Sequence, residues 1–532
     1  MNRFLSLLFF SLIAVSEVFA QQIKAQKRPN IILILADDMG FSDLGSFGSE
    51  IETPVLDKMA KEGLKMTNFY NASRCCPTRA SLMTGLYQHQ AGVGDMVNTR
   101  PQPAYQGYLN RNCVTIAEAL KTNGYATFMA GKWHIGQAKE NWPTKRGFDK
   151  YFGLIDGANS YFENRPYRPN QKLTIALGED QYQTPEGYYS TNAYTDFAIK
   201  FIKERKDPKQ PFFLYLAYQA PHWPLHALPE DIALFKGMFM QGWDVLREQR
   251  FQKQKQLGII PANQKLSPRD ANLPDWNSLS QKEKEDWDDK MAVYAAMIYR
   301  MDKNIGKLKA ELKEIGEDEN TVFMFLSDNG ASHENINANG FTPQIIEASK
   351  MPASNPSSFT AYGFWGANVS NTPFRSFKHW EYEGGTATPF IAYGPKWIKP
   401  QINHQPAHII DIMSTCLALA RVNYPESYQG NKIVPTSGKS LVPVFQKKKW
   451  EGHKALFFEH EGNRAVRVGS WKLVSSYPAN QWELYDLSKD RSEQQNLASQ
   501  FPDKVKEMAV LYQEWAQDTG VIPFELLDKK KP

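Results

Sequence analysis

Cys75-Cys76-Pro77-Thr78-Arg79 places a thiol two residues before a proline and four before an arginine. Proline has its φ preset and no N–H to satisfy, so Pro77 suits the first turn of a helix. Cys75 then lies just ahead of that helix's N-terminus, where free N–H groups and the helix dipole favour anions. Arg79 falls one turn along on the same face, able to hold an anion or to fix the Cys75 side chain. A lone cysteine beside a helix start also reads as a buried structural thiol. What makes this one a candidate for chemistry is its company elsewhere in the chain.

Asp37-Asp38 and Asp328-Asn329 supply three carboxylates and an amide oxygen. Brought together, they repel one another unless a cation or protons compensate. Oxygen donors select a hard divalent ion, Ca²⁺ or Mg²⁺; the Cys-x-x-Cys and His spacing of a zinc site is absent. An isolated Asp-Asp pair is commonly a cap or loop signal, but two acidic pairs at the ends of two apolar runs point to metal. Lys132 and His134 share one side of Gly131–Gly136 if that segment is extended. His222 stands in the turn Ala220-Pro221-His222-Trp223-Pro224, and Lys378 precedes Glu383-Gly384-Gly385 by five residues. Taken singly, each reads as a structural histidine or a surface lysine.

The elements that must position these residues follow from the apolar runs. Asn30–Leu35 ends in Asp37-Asp38, Thr127–Ala130 in Lys132 and His134, Phe212–Leu216 in His222, and Thr321–Leu326 in Asp328-Asn329. Near-continuous apolar runs of this length predict strands buried on both faces, as in a parallel sheet. Helical patterns lie over Val55–Gly63, Thr115–Asn123, Ala193–Glu204 and Met291–Ile315. The alternation predicts an α/β fold, a large mostly parallel sheet sandwiched by helices, with ligands bound beyond the carboxyl ends of the strands. Residues 228–290 read as a helical insertion with a capping box at Ser280 and Glu283. The methionines of 291–301 read as core. Residues 331–372, lacking periodicity, read as a rim loop over the site. From about Ala455 short strands and then a helix over Asp503–Thr519 predict a smaller antiparallel sheet with a helix on it, so the chain divides as 29–450 and 451–532.

Cys75, Pro77 and Arg79, followed by Leu82-Met83-Thr84-Gly85, resemble the signature of the type I (formylglycine-dependent) sulfatase family of the alkaline phosphatase superfamily, in its bacterial arylsulfatase-like branch. The resemblance runs from about Pro29 to about Asp490; Thr78 stands where most members carry Ser. It implies an alkaline phosphatase-like fold with a small C-terminal domain. It also implies that a formylglycine-generating maturation enzyme oxidises Cys75 to formylglycine. By the same resemblance Asp37, Asp38, Asp328 and Asn329 bind Ca²⁺ together with residue 75, and Lys132, His134, His222, Lys378 and Arg79 are catalytic. The implied reaction is hydrolysis of a sulfate monoester to alcohol and sulfate, through a gem-diol nucleophile and a sulfo-enzyme intermediate. His222 protonates the leaving alcohol and His134 takes the proton that regenerates the aldehyde. A phosphonate monoester or phosphodiester hydrolase of the same superfamily, or a non-catalytic sulfoglycan-binding protein, are the alternatives.

The 532 residues suit two or three folded units, and a formal charge of +5 gives no reason to expect a nucleic-acid partner. Met1–Ala20 reads as a signal peptide, with Arg3, an apolar stretch Phe4–Val15 and a small-residue cleavage site. No other stretch is apolar enough for a transmembrane anchor, so a secreted or periplasmic protein is expected. Cys113 and Cys416 read as buried thiols. Trp133, Tyr161, Phe162, Trp223, His226 and Trp365 are candidates to stack on an aryl or sugar ring of the sulfate ester, a small molecule or a sulfated glycan, and each reads equally as packing. Asn71 and Asn368 match the glycosylation pattern.

Overall fold

A computed structural model describes residues 27–336 and 340–527; the segment read as a signal peptide lies outside them. Eleven strands form one sheet: β1 (Asn30–Ala36), β2 (Leu64–Tyr70), β3 (Ala126–Gly131), β4 (Lys150–Leu154), β5 (Ile175–Leu177), β6 (Asp180–Gln181), β7 (Phe212–Ala217), β8 (Thr321–Ser327), β9 (Ala387–Tyr393), β10 (Gln401–Asn403) and β11 (Ala407–His408). Their spatial order is β10-β2-β9-β8-β1-β7-β3-β4-β5-β6, with β11 also paired to β2. The five strands from β8 to β4 are parallel. β9 runs against both β8 and β2.

The four strands expected from apolar runs, β1, β3, β7 and β8, are neighbours at the centre of this sheet. Their unbroken apolar character has a simple cause. Ile31, Leu33 and Leu35 enter the core on one face, and Ile32, Ile34 and Ala36 the core on the other. Helices Pro54–Glu62, Ser190–Lys203 and Gln281–Glu314 cover one face; Cys75–Thr84, Ile116–Lys121 and Asp411–Ala420 cover the other. β9 carries Pro389, which cannot donate to a ladder. The pairing of β2 with β9 shifts register between Met66 and Phe69, opposite that proline, so the missing N–H falls at a bulge.

The capping box of Ser280 and Glu283 is present, but it opens a helix starting at Gln281, ahead of Met291. Met291, Met297 and Met301 are fully buried core residues. Residues 331–372 contain helices Pro343–Ala348 and Gly363–Ser370. Ile345 and Phe359 of this stretch pack with Tyr167 and Trp223.

At the C-terminal end, strands Ala455–His460, Asn463–Val468, Trp471–Ser475 and Glu483–Asp486 form an antiparallel sheet in that order. Helix Pro502–Thr519 packs on it, with Trp515 stacked on Phe457 at 5.2 Å between centroids. A buried polar knot docks this sheet. Glu383 accepts from Lys472 Nζ at 3.0 Å, Arg491 Nε at 2.8 Å and the Tyr70 hydroxyl at 2.8 Å. Removing one partner would strand the others' charges in the interior, so the knot fixes where the small sheet sits. Among the described residues no helix is long and apolar enough to cross a membrane.

Candidate active site

One edge of the sheet collects the reactive residues. Asp37 and Asp38 follow β1, Lys132 and His134 follow β3, His222 follows β7, and Asp328 and Asn329 follow β8. β2 runs parallel to these, so Cys75 emerges at the same edge. β9 is reversed, so the segment before it, carrying Lys378, arrives there too. Backbone bonds lock the strand ends together: Lys132 N donates to Ala217 O at 2.8 Å, Asp37 N to Ala220 O at 3.0 Å, and Asp328 N to Ala36 O at 3.1 Å.

Cys75 is the first residue of helix Cys75–Thr84, and Arg74 takes the capping position ahead of it. The thiol was expected one residue outside the helix. Placed inside, its Sγ still lies against the N-terminal turn, 3.4 Å from His134 Nδ1. A hydrogen bond from Cys76 holds the Cys75 thiol well below its ordinary pKa, with Lys132 and His134 acting against burial in the same sense. Burial lowers His134 to about 4, keeping its imidazole neutral. Asp38 and His134 both adopt left-handed backbone, φ 64° and 57°. Such residues are held there by their surroundings and gather at functional sites. Gly157 makes room for His134: a Cβ there would meet the imidazole at 2.4 Å.

Charges in the site are matched one to one. Arg79 holds Asp328 Oδ2 through Nε at 3.1 Å and Nη2 at 2.8 Å. Lys132 Nζ donates to Asp37 Oδ2 at 2.7 Å. Lys378 Nζ donates to Asp38 Oδ2 at 2.9 Å and to Glu334 Oε2 at 3.2 Å, and lies 3.5 Å from His222 Nε2. Burial raises Asp328 to about 8, with Asp37 adding to the effect and Arg79 opposing it. The Trp223 carbonyl lies 2.6 Å from His222 Nδ1. A carbonyl can only accept, so Nδ1 carries the hydrogen and Nε2 presents its lone pair. Burial lowers His222 to about 4.

The oxygen donors fit a cation. Asp37 Oδ1 and Asn329 Oδ1 are buried without a hydrogen-bond partner. Buried acceptors left unsatisfied at the end of two central strands match a hard ion's needs. Asp37, Asp38 and His222 offer ligand atoms within 4.8 Å of one another. Asp328 belongs to this arrangement less directly, being drawn onto Arg79.

Sequence reading missed Glu334 and Arg74. Glu334 accepts from Trp223 Nε1 at 2.9 Å, pairs with Arg74 at 2.9 Å, and so ties the start of the expected rim loop to Lys378. Its only sequence signal is its place six residues past Asp328. Most of the aromatic candidates are packing residues. Trp133 and Tyr161 are fully buried, and His226 is nearly so. Trp365 packs on Trp243 at 5.3 Å, and Phe162 packs on Tyr189 and His226. Asn71 and Asn368 are buried, and Asn71 Nδ2 donates to Ser327 O, so neither is presented for glycosylation. Cys113 and Cys416 are buried free thiols, as expected. A cavity of about 870 Å³, lined by Thr67, His404, Arg467 and Arg491 among others, shares no residue with the site.

A parallel sheet closing on a buried thiol, paired carboxylates, two lysines and two histidines defines a hydrolase of the sulfatase class, and sequence comparison bears this out. The sulfatase family model matches residues 29–422, and a model described as N-sulphoglucosamine sulphohydrolase, C-terminal, matches 374–516. The chain belongs to the sulfatase family and is a sulfuric ester hydrolase. It is 38% identical over 526 residues to an uncharacterized sulfatase of Schizosaccharomyces pombe, covering 93% of this chain and 95% of the relative. It is 36% identical over 449 residues to an arylsulfatase of Klebsiella aerogenes, covering 81% and 95%. Among solved structures it resembles Ps i-CgsB, determined in complex with k-i-k-neocarrahexaose, with a TM-score of 0.67 and 26% identity over 93% of this chain and 94% of that one.

Proposed function

We propose that this enzyme hydrolyses sulfate monoesters on sulfated carbohydrates, and aryl sulfates as simple surrogates, with Cys75 oxidised to formylglycine. The observation that carries the reading is the convergence of Cys75, Lys132, His134, His222 and Lys378 with three carboxylates at one sheet edge. Oxidation by a maturation enzyme replaces the thiol by a hydrated carbon with two hydroxyls, one to attack sulfur and one to expel sulfate afterwards. Asp37, Asp38, Asp328 and Asn329 would hold a hard divalent ion, Ca²⁺ before Mg²⁺, which when bound would supply positive charge to the site and acidify a hydroxyl near it.

The chain's own residues take the other roles. Lys132 and Lys378, whose ammonium groups sit on Asp37 and Asp38 in the same site, offset charge on the sulfate oxygens. Arg79 fixes Asp328, which accepts the proton of the attacking hydroxyl. His222, anchored through Nδ1 and holding a lone pair at Nε2, takes a proton there from Lys378, 3.5 Å away, and passes it to the leaving oxygen. Cys75 Sγ marks the place of the oxidised residue's oxygens, so His134 Nδ1 stands where the second hydroxyl loses its proton. Four carboxylates (Asp37, Asp38, Asp328, Glu334) face four cations (Arg74, Arg79, Lys132, Lys378). A divalent ion added to that balance leaves the site positive, as an anionic ester requires. The export signal read in residues 1–20 supports a substrate met outside the cytosol.

The test is peptide mass together with turnover. Enzyme made with a maturation system is expected to show loss of H₂S and gain of one oxygen at Cys75, and to prefer an aryl sulfate over the matching aryl phosphonate in kcat/KM. An unmodified thiol in fully active enzyme, or a preference for the phosphonate, would overturn the reading.

A further inference from the structure

The cavity of about 870 Å³ that stands apart from the active site lies where three parts of the chain meet. Thr67 belongs to β2, Lys255 and Ile260 to the end of helix Trp243–Gln256 and the turn after it. Arg467, Leu487 and Arg491 come from the C-terminal sheet and the segment that follows it. The charges of this cavity have one sign. Lys255, Arg467 and Arg491 line it, and among the described residues no Asp or Glu does. The two arginines are 7% and 5% exposed.

Both guanidinium groups have donors to spare. Arg491 spends Nε on Glu383 and Nη2 on the Thr67 carbonyl at 2.7 Å; among the described residues its Nη1 donates to nothing. Arg467 donates from Nε to the Gly469 carbonyl at 3.0 Å and from Nη1 to the Tyr70 hydroxyl, and its Nη2 likewise has no acceptor. The Tyr70 hydroxyl in turn donates to the Glu383 oxygen that Arg491 holds, so the two guanidinium groups stand close together. Arg467 makes no ion pair among the described residues. A buried cation without a counter-charge is costly. The polar knot behind the cavity does not supply one. Glu383 is already shared by Lys472 and Arg491, and burial pushes the remaining carboxyl, Glu493, up to about 7.

Spare guanidinium N–H groups match the oxygens of a carboxylate, sulfonate or phosphate monoester. The other walls are largely apolar, with Ile260, Pro406, Leu456 and Leu487 among them, and the volume falls in the range of about 300–1,000 Å³ usual for small-molecule sites. We propose that this cavity is a second ligand site, taking an organic oxyanion whose head sits on Arg467 and Arg491, with Lys255 adding charge, and whose apolar body rests on Ile260, Leu456 and Leu487. A bare inorganic anion would leave the apolar walls uncovered, and a neutral apolar molecule would leave Arg467 without its counter-charge. The site is separate from the sulfate-ester chemistry and does not rest on it.

The experiment is titration calorimetry on the matured enzyme with 2-naphthoate, 2-naphthalenesulfonate, 2-naphthyl phosphate, neutral 2-naphthol and inorganic phosphate, repeated on Lys255→Glu and Arg467→Gln. At least one of the three naphthyl anions is expected to bind with one equivalent, and the tightest of them names the head group. Both variants should weaken it about 10-fold or more, and 2-naphthol and inorganic phosphate should each bind the native enzyme at least about 10-fold more weakly. Turnover of 4-nitrophenyl sulfate should stay within about threefold in the variants, which reports that they fold, and in the native enzyme saturated with the anion. Should Arg467→Gln fail to fold, Lys255→Glu decides alone. Absence of binding by all three anions, an affinity unchanged in Lys255→Glu, or 2-naphthol binding as tightly as the anions would overturn the proposal. So would competition between the anion and 4-nitrophenyl sulfate, which would put the bound anion in the active site.

Discussion

Arg79 grips Asp328 with two nitrogens at 3.1 and 2.8 Å, and neither side chain reaches solvent. The arginine of the Cys-x-Pro-x-Arg run is thus a clamp on a strand-end carboxylate 249 residues away in sequence, and it also donates to the Lys132 carbonyl at 2.9 Å. Lysine carries the same charge but no planar fork. Arg79→Lys is therefore expected to lower kcat on an aryl sulfate by about 100-fold or more. Arg79→Ala, which leaves Asp328 buried and unpaired, should also cost about 3–5 kcal/mol of stability. Thermal unfolding and steady-state kinetics on the two variants check this.

Gly157→Ala is expected to impair catalysis without dissolving the fold. A methyl group 2.4 Å from the His134 ring must push the imidazole from its place beside Cys75. Overpacking of this kind costs about 1–3 kcal/mol. The kcat should fall well beyond what that loss of stability explains; unchanged kcat would show that His134 has no role in the slow step.

Chelation should destabilise the enzyme. If the unpartnered oxygens of Asp37 and Asn329 hold a hard cation, its removal lowers the unfolding midpoint and calcium restores it. Saturation at about 100 times Kd is worth about 2.7 kcal/mol. Asn329→Ala should reduce that response. Differential scanning calorimetry with EDTA, Ca²⁺ and Mg²⁺ measures it.

Asp302 makes stability depend on pH in a definite direction. It is fully buried and accepts from Val55 N at 3.0 Å and Leu56 N at 2.8 Å, capping helix Pro54–Glu62. Burial raises its pKa to about 7. The folded state then binds a proton that the unfolded chain releases near pH 4. This group's contribution is fully present below about pH 4 and is lost as pH rises to about 7. Asp302→Asn should flatten the stability curve across that window, as urea titrations at several pH values will show.

Much of the site was legible because the central strands are buried on both faces. β1, β3, β7 and β8 read as apolar runs, and the polar residue after each run had to lie at a sheet edge. β2 and β9 escaped notice for physical reasons. Lys65 and Asn68 interrupt one, and Pro389 sits in the other at a bulge that only pairing reveals. The aromatic residues stayed open between stacking and packing because composition does not tell a ring in the core from a ring at the mouth: Trp133 and Tyr161 satisfy their polar atoms on buried backbone carbonyls.

The sequence by itself determined that the strand-end clusters share one sheet edge, through periodicity, and the resemblance of Cys75, Pro77 and Arg79 to the sulfatase signature supplied the class of chemistry. Tertiary structure alone decided the partners: that Glu334 bridges Arg74 and Lys378, that Arg79 clamps Asp328, and that Lys472 and Arg491 reach Glu383 from the C-terminal part. Periodicity reports which face a residue occupies within its own element. Hydrogen bonds between elements far apart in the chain depend on distances of a few tenths of an ångström, and those exist only once the elements have packed.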